Sequence, residues 1–325
     1  MLIVGCGYVG LELGRRLAVS GVEVVGARRG GDPDGVLEAA GVHSVRADIT
    51  RPADLASLPG RFDAVVSAVS SGGGGLAAYR EVYVGGARHL VSWALERGVG
   101  RLVWISSTSV FGQTDGSWVD EESATEPEEP TARCLVEAET VVAEAHRLGG
   151  LPTQIARVAG IYGPGRGHLF SRLVAGTAPP ETDGNRWINM IHRDDVASAI
   201  EAILFRGGPG RVYDVVDDQP VLQREFLRFL AESTGLPMPG MVAGPGPARR
   251  RGLTNKRVSN RRLRDELAWI PGFPTYREGY AEAIAALVSG IRSGGGTAPD
   301  ECSGQDRRPE VRSGLGGPFA PRSGA

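Results

Sequence analysis

The chain has 325 residues, 41% of them apolar and 23% charged, the make-up of an ordinary globular protein with about two domains' worth of chain. Its 36 basic and 38 acidic residues leave a formal net charge of −2, which excludes a strong overall pull toward nucleic acid or an anionic membrane. No apolar run approaches the roughly 18 residues of a membrane span, and three scattered cysteines with no CxxC pair exclude a disulfide framework or a thiolate zinc site.

Met1 runs directly into the strand-like Leu2-Ile3-Val4, with neither a basic segment nor a cleavage site ahead of it, so a cytoplasmic location is expected. Further strands are expected at Val22–Ala27, Val42–Arg46, Ala64–Ala68, Leu102–Ser106 and Thr153–Val158. They are almost continuously apolar, as strands buried on both faces are. Between them the spacing predicts helices near Val9–Ser20, Leu76–Arg97 and Thr131–Leu148. A helix near Val196–Phe205 and a strand at Arg211–Val216 continue the alternation that marks an α/β, doubly wound parallel Rossmann-type sheet.

Beyond Asp218 the rhythm changes. Gln219–Thr234 reads as helix, Pro237–Gly252 as an irregular loop rich in Pro, Gly and Arg, and Asn260–Ala268 and Tyr276–Ile291 as two more helices. From Ser293 to Ala325 there is almost nothing to bury, and a disordered tail is expected. The expected organisation is a dinucleotide-binding domain over 1–162 completed by 188–218, a smaller C-terminal substrate lobe from 163–187 and 219–292, and the tail over 293–325.

Gly5-Cys6-Gly7-Tyr8-Val9-Gly10 is a GxGxxG placed after the first strand and at the opening of a helix. In that setting Gly5 allows the tight turn, Gly7 lets backbone approach a pyrophosphate, and Gly10 lets helix and strand pack closely. The first N–H groups of the helix, at Tyr8, Val9 and Gly10, face the anion. At the end of the second strand stand Arg28 and Arg29, with no acidic residue before Asp32. Guanidinium suits the 2′-phosphate of NADP, so NADP is the expected cofactor, with NAD possible. Solvated arginines are the bland alternative in so arginine-rich a chain. Asp48, after the third strand, is either an acceptor for the adenine amino group or a cap for a helix over Thr50–Leu58. Gly72–Gly75 reads equally as a cover loop or a phosphate cradle.

GCGYVG at 5–10, WISSTSVFG at 104–112, ARVAGIYGPG at 156–165, INMIHRDDVA at 188–197 and VYDVVDDQP at 212–220, in this order and spacing, resemble the extended short-chain dehydrogenase/reductase family, the NAD-dependent epimerase/dehydratase group. The resemblance implies hydride chemistry on a hydroxyl or carbonyl of a small molecule, commonly a nucleotide-sugar, and is compatible with a homodimer. It also implies that Ser107 holds the catalytic Ser/Thr position; the alternative is a strand-end serine satisfying backbone groups.

The family's Tyr and Lys, four apart on the next helix, are not in place. Aligning Val136-Glu137-Ala138-Glu139 with the usual continuation puts Thr131 and Leu135 at those positions. None of the seven tyrosines has a lysine four residues later, and the sole lysine is Lys256. The chain is therefore read as an atypical member without the pair. Surrogate acid/base candidates are Tyr162, in IYGPG, and His192. Tyr162 can equally be a packed aromatic where the lobes meet, and His192 a helix cap. Arg166, Arg172 and Arg186 fall where the resemblance places an anionic substrate. The run Arg249–Arg251 with Lys256-Arg257 lacks interleaved aromatics, so a solvated loop or a diphosphate contact is expected there rather than nucleic acid. A second function class remains beside the enzyme: a non-catalytic NADP-binding redox sensor or regulatory protein.

Overall fold

The computed structural model describes residues 1–178, 186–240 and 254–293. The expected tail lies outside them except for Ser293, and so does most of the expected 237–252 loop.

The chain opens with β1 (Leu2–Val4), α1 (Tyr8–Val19), β2 (Val25–Arg28), α2 (Val36–Ala39), β3 (His43–Arg46), α3 (Pro52–Ala56) and β4 (Ala64–Ser67). The stretch expected as one helix over 76–97 is α4 (Gly75–Tyr79), a π-helical turn over Arg80–Gly85, and α5 (Gly86–Glu96). That wide turn carries Val82 to the lining of a cleft, and Gly86 follows where a Cβ would lie 3.1 Å from Ile49. Next come β5 (Arg101–Ser107), a 3₁₀ turn over Thr108–Val110, β6 (Trp118–Val119) and α6 (Pro130–Gly149). Proline starts α6, where its missing N–H costs nothing, and left-handed Gly150 at φ 69° ends it.

β7 (Thr153–Val158), β8 (Gly160–Tyr162), α7 (His168–Val174), β9 (Trp187–Ile188), β10 (Met190–His192), α8 (Arg193–Arg206) and β11 (Val212–Val215) follow. The described chain closes with β12 (Val221–Leu222), α9 (Gln223–Thr234), β13 (Arg257–Val258), α10 (Arg261–Leu267) and α11 (Tyr276–Ser293). The helix expected from Gln219 thus begins only at Gln223, because Val221-Leu222 pairs with Trp187-Ile188 as an antiparallel strand.

Seven strands form one sheet in the order β11-β7-β5-β4-β1-β2-β3, and every pairing in it is parallel. Alternation along the strands supplies a core on each face. Ile3, Val66, Val103 and Ala156 face α1 and α8, while Leu2, Val65, Leu102 and Ile155 face α5 and α6. This is the doubly wound Rossmann-type architecture expected. A third apolar cluster joins Tyr162, Leu173, Phe226, Tyr276 and Tyr280 from β8, α7, α9 and α11.

Candidate functional site

The strand order reverses at β1, which has β4 on one side and β2 on the other. A crevice forms outside the carboxyl ends of the strands at such a point. A cavity of about 120 Å³ lies there, lined by Val4 at the end of β1 and Gly5 after it, Arg29 after β2, Asp48 and Ile49 after β3, and Val69 and Ser70 after β4.

The glycine loop is built for close approach. Gly5 has φ +82°, and a Cβ on it would lie 2.7 Å from the backbone of Ala68 and Val69. Gly10 packs α1 on β1, its virtual Cβ 3.0 Å from Ile3 Cγ2. Gly7 meets nothing closer than 3.8 Å, so the space beside it is open. The Gly5 and Cys6 N–H groups donate to Ala27 O at 3.0 Å, which ties the loop to β2. No side chain caps α1, and the N–H groups of Tyr8, Val9 and Gly10 lie in the first turn, where no intrahelical acceptor exists. The Tyr8 hydroxyl donates to Pro164 O at 3.0 Å, and the guanidinium groups of Arg166 and Arg193 lie 5.1 and 5.2 Å from its ring centroid. Val9 packs on the core.

The two arginines after β2 have different surroundings. Arg28 turns back, donating from Nε to Cys6 O and from Nη1 to Asp32 Oδ1 at 3.4 Å. Asp32 itself accepts from the N–H groups of Leu37 and Glu38 at α2, so this carboxylate is committed within the protein. Arg29 is exposed and lines the cavity. Asp48 also lines it, yet its Oδ1 accepts from Thr50 N–H and Oγ1 at 2.9 and 2.8 Å. Burial opposes ionisation of Asp48, but the Thr50 bonds and the charges of Arg29 and Arg51 prevail and hold its pKa below the ordinary value.

Ser107 closes β5, the strand beside β4, half-buried, and its Oγ accepts from Ser109 N–H at 3.2 Å. Its hydroxyl proton remains available to donate. The preceding Ser106 points inward and donates to Glu139 Oε1 at 2.6 Å, while Glu139 Oε2 accepts from Arg157 Nη2 at 2.8 Å. Both charged side chains are buried, at 8% exposure. Arg157 stands in register with Ser106 on one side and Asp214 on the other. Asp214 is fully buried and neither of its carboxylate oxygens takes a hydrogen bond among the described residues. Thr131 and Leu135 lie in the first turns of α6, which packs on the turn after Ser107.

Tyr162 is 2% exposed. It stacks on Tyr280 with centroids 4.4 Å apart and donates to Thr275 O at 3.4 Å. Burial, then the nearby Asp217, drives its phenol far above the ordinary range, the opposite of what proton exchange near neutrality requires. The packed-aromatic alternative describes its surroundings. His192 is 4% exposed and caps α8, its Nδ1 accepting from Asp194 N–H at 3.3 Å. That bond leaves the proton on Nε2, and burial lowers the pKa so that the ring is neutral at neutral pH. Among the described residues no group of three or more His, Cys, Asp or Glu is placed to hold a metal, and no helix is long and apolar enough to cross a membrane.

The inward network of Ser106, Glu139 and Arg157, with Asp214 in register beside it, carried no signal in the sequence, because an arginine in a strand and a glutamate on a helix look solvated until the sheet register is known. Lys256 stood out by composition alone, and its burial at 4% exposure was not legible.

The profile of the NAD dependent epimerase/dehydratase family matches residues 1–215. The chain is similar to Protein YeeZ of Escherichia coli K12, 31% identical over 244 residues that cover 73% of this chain and 84% of the relative. It is also similar to a conserved protein of unknown function from Silicibacter pomeroyi, with a TM-score of 0.69, 29% identity and coverage of 89% of this chain and 97% of that one. DesIV, a dTDP-glucose 4,6-dehydratase from Streptomyces venezuelae solved with NAD bound, shares the fold at a TM-score of 0.75 and 24% identity, covering 90% of this chain and 98% of that one.

Proposed function

The chain belongs to the NAD dependent epimerase/dehydratase family, and from that premise we propose that it is an oxidoreductase or epimerase-like enzyme. It binds a nicotinamide dinucleotide across the crevice at β1, β2 and β4 and acts on a hydroxyl or carbonyl carbon of a nucleotide-sugar or similar small molecule. The observation that carries the cofactor is the open face of Gly7 beside uncapped α1, where backbone N–H groups meet a pyrophosphate. A dTDP-glucose 4,6-dehydratase among the structural neighbours supports the substrate class. The lobe of α7, α9 and α11 is the substrate lobe in this reading.

When bound, the nicotinamide supplies the hydride acceptor or donor. This chain's residues do the rest. Ser107, its oxygen lone pair held by Ser109 N–H, donates its proton to the substrate oxygen and polarises it. His192, neutral with the proton on Nε2 and its Nδ1 lone pair engaged by Asp194 N–H, has no free lone pair to act as a base in this arrangement, and Tyr162 has no part in proton transfer. The cofactor is NADP: Arg29 faces the cavity and meets the 2′-phosphate, while Arg28 shapes the glycine loop through Cys6 O and Asp48 sits at the adenine end.

Titration of the protein with NADPH and NADH by fluorescence, followed by NADPH oxidation against a panel of carbonyl compounds and nucleotide-sugars, tests this. Arg29→Ala is expected to weaken NADPH roughly tenfold or more, the loss of one charge-assisted contact, and to leave NADH nearly unchanged. Equal affinity of the unaltered protein for the two cofactors would refute the NADP assignment. The burial of Tyr162 and the capping role of His192 favour a second reading, a non-catalytic NADP-binding redox sensor. Tight binding that distinguishes NADPH from NADP, with no turnover across the panel, would select it.

A further inference from the structure

Of 36 basic residues in the chain, one is a lysine. Unlike the arginines that cover the surface, Lys256 is 4% exposed. Its Nζ donates to Phe111 O at 2.9 Å, a residue 145 positions away and four beyond Ser107. Between those two the chain makes the short 3₁₀ turn over Thr108–Val110, closed by Phe111 N–H donating to Thr108 O at 3.3 Å. Phe111 therefore ends the turn that follows Ser107 at the carboxyl end of β5. Its ring lies 5.1 Å from the Arg157 guanidinium, so the buried polar network behind β5 and the lysine both bear on this one residue.

The backbone at Lys256 is held firmly. Lys256 O accepts from Asn189 Nδ2 at 3.0 Å, and Asn189 Oδ1 accepts from Val258 N–H at 2.8 Å. Arg257-Val258 pairs with Trp118-Val119 as a parallel strand. The ammonium thus reaches the Ser107 segment from a fixed base. A compact ammonium satisfies one buried carbonyl where a guanidinium would bring five donors needing partners, a physical reason for lysine here in an arginine-rich chain.

We propose that Lys256 is a positioning residue of the active site, locking the Ser107–Phe111 turn through its charged hydrogen bond to the Phe111 carbonyl. The proposal rests on Ser107 being the substrate-facing hydroxyl. The bond is titratable. Burial and Arg186 lower the lysine pKa, against the opposing pull of Asp214, to about 8. The full charge on the bond is present below that pH and is lost as pH rises through it.

A single lysine makes the test direct. With lysine labelled at 15Nζ and phenylalanine at the carbonyl 13C, the wild-type protein is expected to give one Nζ resonance titrating near pH 8, with the Phe111 carbonyl shift following the same midpoint. Lys256→Met should then accelerate amide hydrogen exchange in the 107–112 peptide while leaving the rest of the sheet protected. On any carbonyl substrate found with NADPH, it should lower kcat roughly ten- to a hundredfold, the loss of one charge-assisted bond, with KM for NADPH unchanged and the alkaline limb near pH 8 removed. A Phe111 carbonyl that ignores the lysine titration overturns the proposal, as does unchanged exchange at 107–112 in the variant. If Lys256→Met instead loses protection throughout the chain, the residue is a structural strut and the proposal fails, unless Lys256→Arg, folded normally, reproduces the local effect. Absence of turnover with every substrate counts against the enzymatic reading, while the carbonyl titration still decides this one.

Discussion

The buried pair behind β5 permits a prediction whose size follows from its surroundings. Glu139 and Arg157 are each 8% exposed and joined by contacts of 2.8 and 3.1 Å, with Ser106 adding a third bond at 2.6 Å. Arg157 Nη1 has no further partner among the described residues. Glu139→Gln keeps the shape but leaves the guanidinium uncompensated in the interior. Breaking one half of a buried pair costs about 3–5 kcal/mol, which for a protein of this size lowers Tm by on the order of 10 °C. Arg157→Gln should cost about as much, because it strands the carboxylate. The double variant Glu139→Gln/Arg157→Gln removes both charges together and should cost well below the sum of the two singles. Thermal unfolding followed by circular dichroism at one scan rate, with urea denaturation for the free energies, measures all four proteins. Single variants that cost under about 1 kcal/mol, or a double variant that equals the sum, would show that the pair is open to water and that the reasoning is wrong.

Gly279→Ala on α11 should destabilise despite the better helix propensity of alanine, because its Cβ would lie 2.5 and 2.6 Å from ring atoms of buried Tyr162; adding Tyr162→Phe should recover part of the lost Tm, and full stability in the single variant would contradict the close approach. Asp214 is fully buried, and desolvation followed by the nearby Glu121 raises its pKa well above the ordinary 3.8. The native state then holds a proton that the unfolded chain releases, so stability is present at low pH and falls as pH climbs above about 4 toward the raised pKa. Asp214→Asn should raise Tm at pH 8 and show little difference near pH 4, and a pH-independent difference between the two proteins would count against the assignment.

What the chain displays locally, it displays in the sequence. GCGYVG needs only three glycines, a strand before it and a helix after it, and in the structure Gly5 has a left-handed φ, Gly10 packs on Ile3 and the space beside Gly7 is open. The parallel sheet was legible because its inner strands are largely apolar, although the edge strand β3, expected to be buried on both faces, has no buried residue; α6 was legible because Leu135, Val136, Val142 and Ala143 recur at helical spacing. The 76–97 helix was legible as helix but not as one broken by a π turn, since a widened turn changes hydrogen bonding without changing the residue pattern.

The roles of individual polar residues were decided elsewhere. Tyr162 and His192 look alike as acid/base candidates in a motif, and only the stacking of Tyr280 on one and the start of α8 at the other separate them. Arg28 and Arg29 are adjacent, yet one folds back on Cys6 while the other faces the cavity. Lys256 meets Phe111 across 145 residues, and Glu139 meets Arg157 through the sheet register. Short-range pattern records which residues are apolar and where the backbone must turn, because those constraints act within a few residues. Which polar group loses its water, and which partner it then finds, depends on contacts between distant segments, and these exist only once the two faces of the sheet and the α7, α9 and α11 cluster have packed.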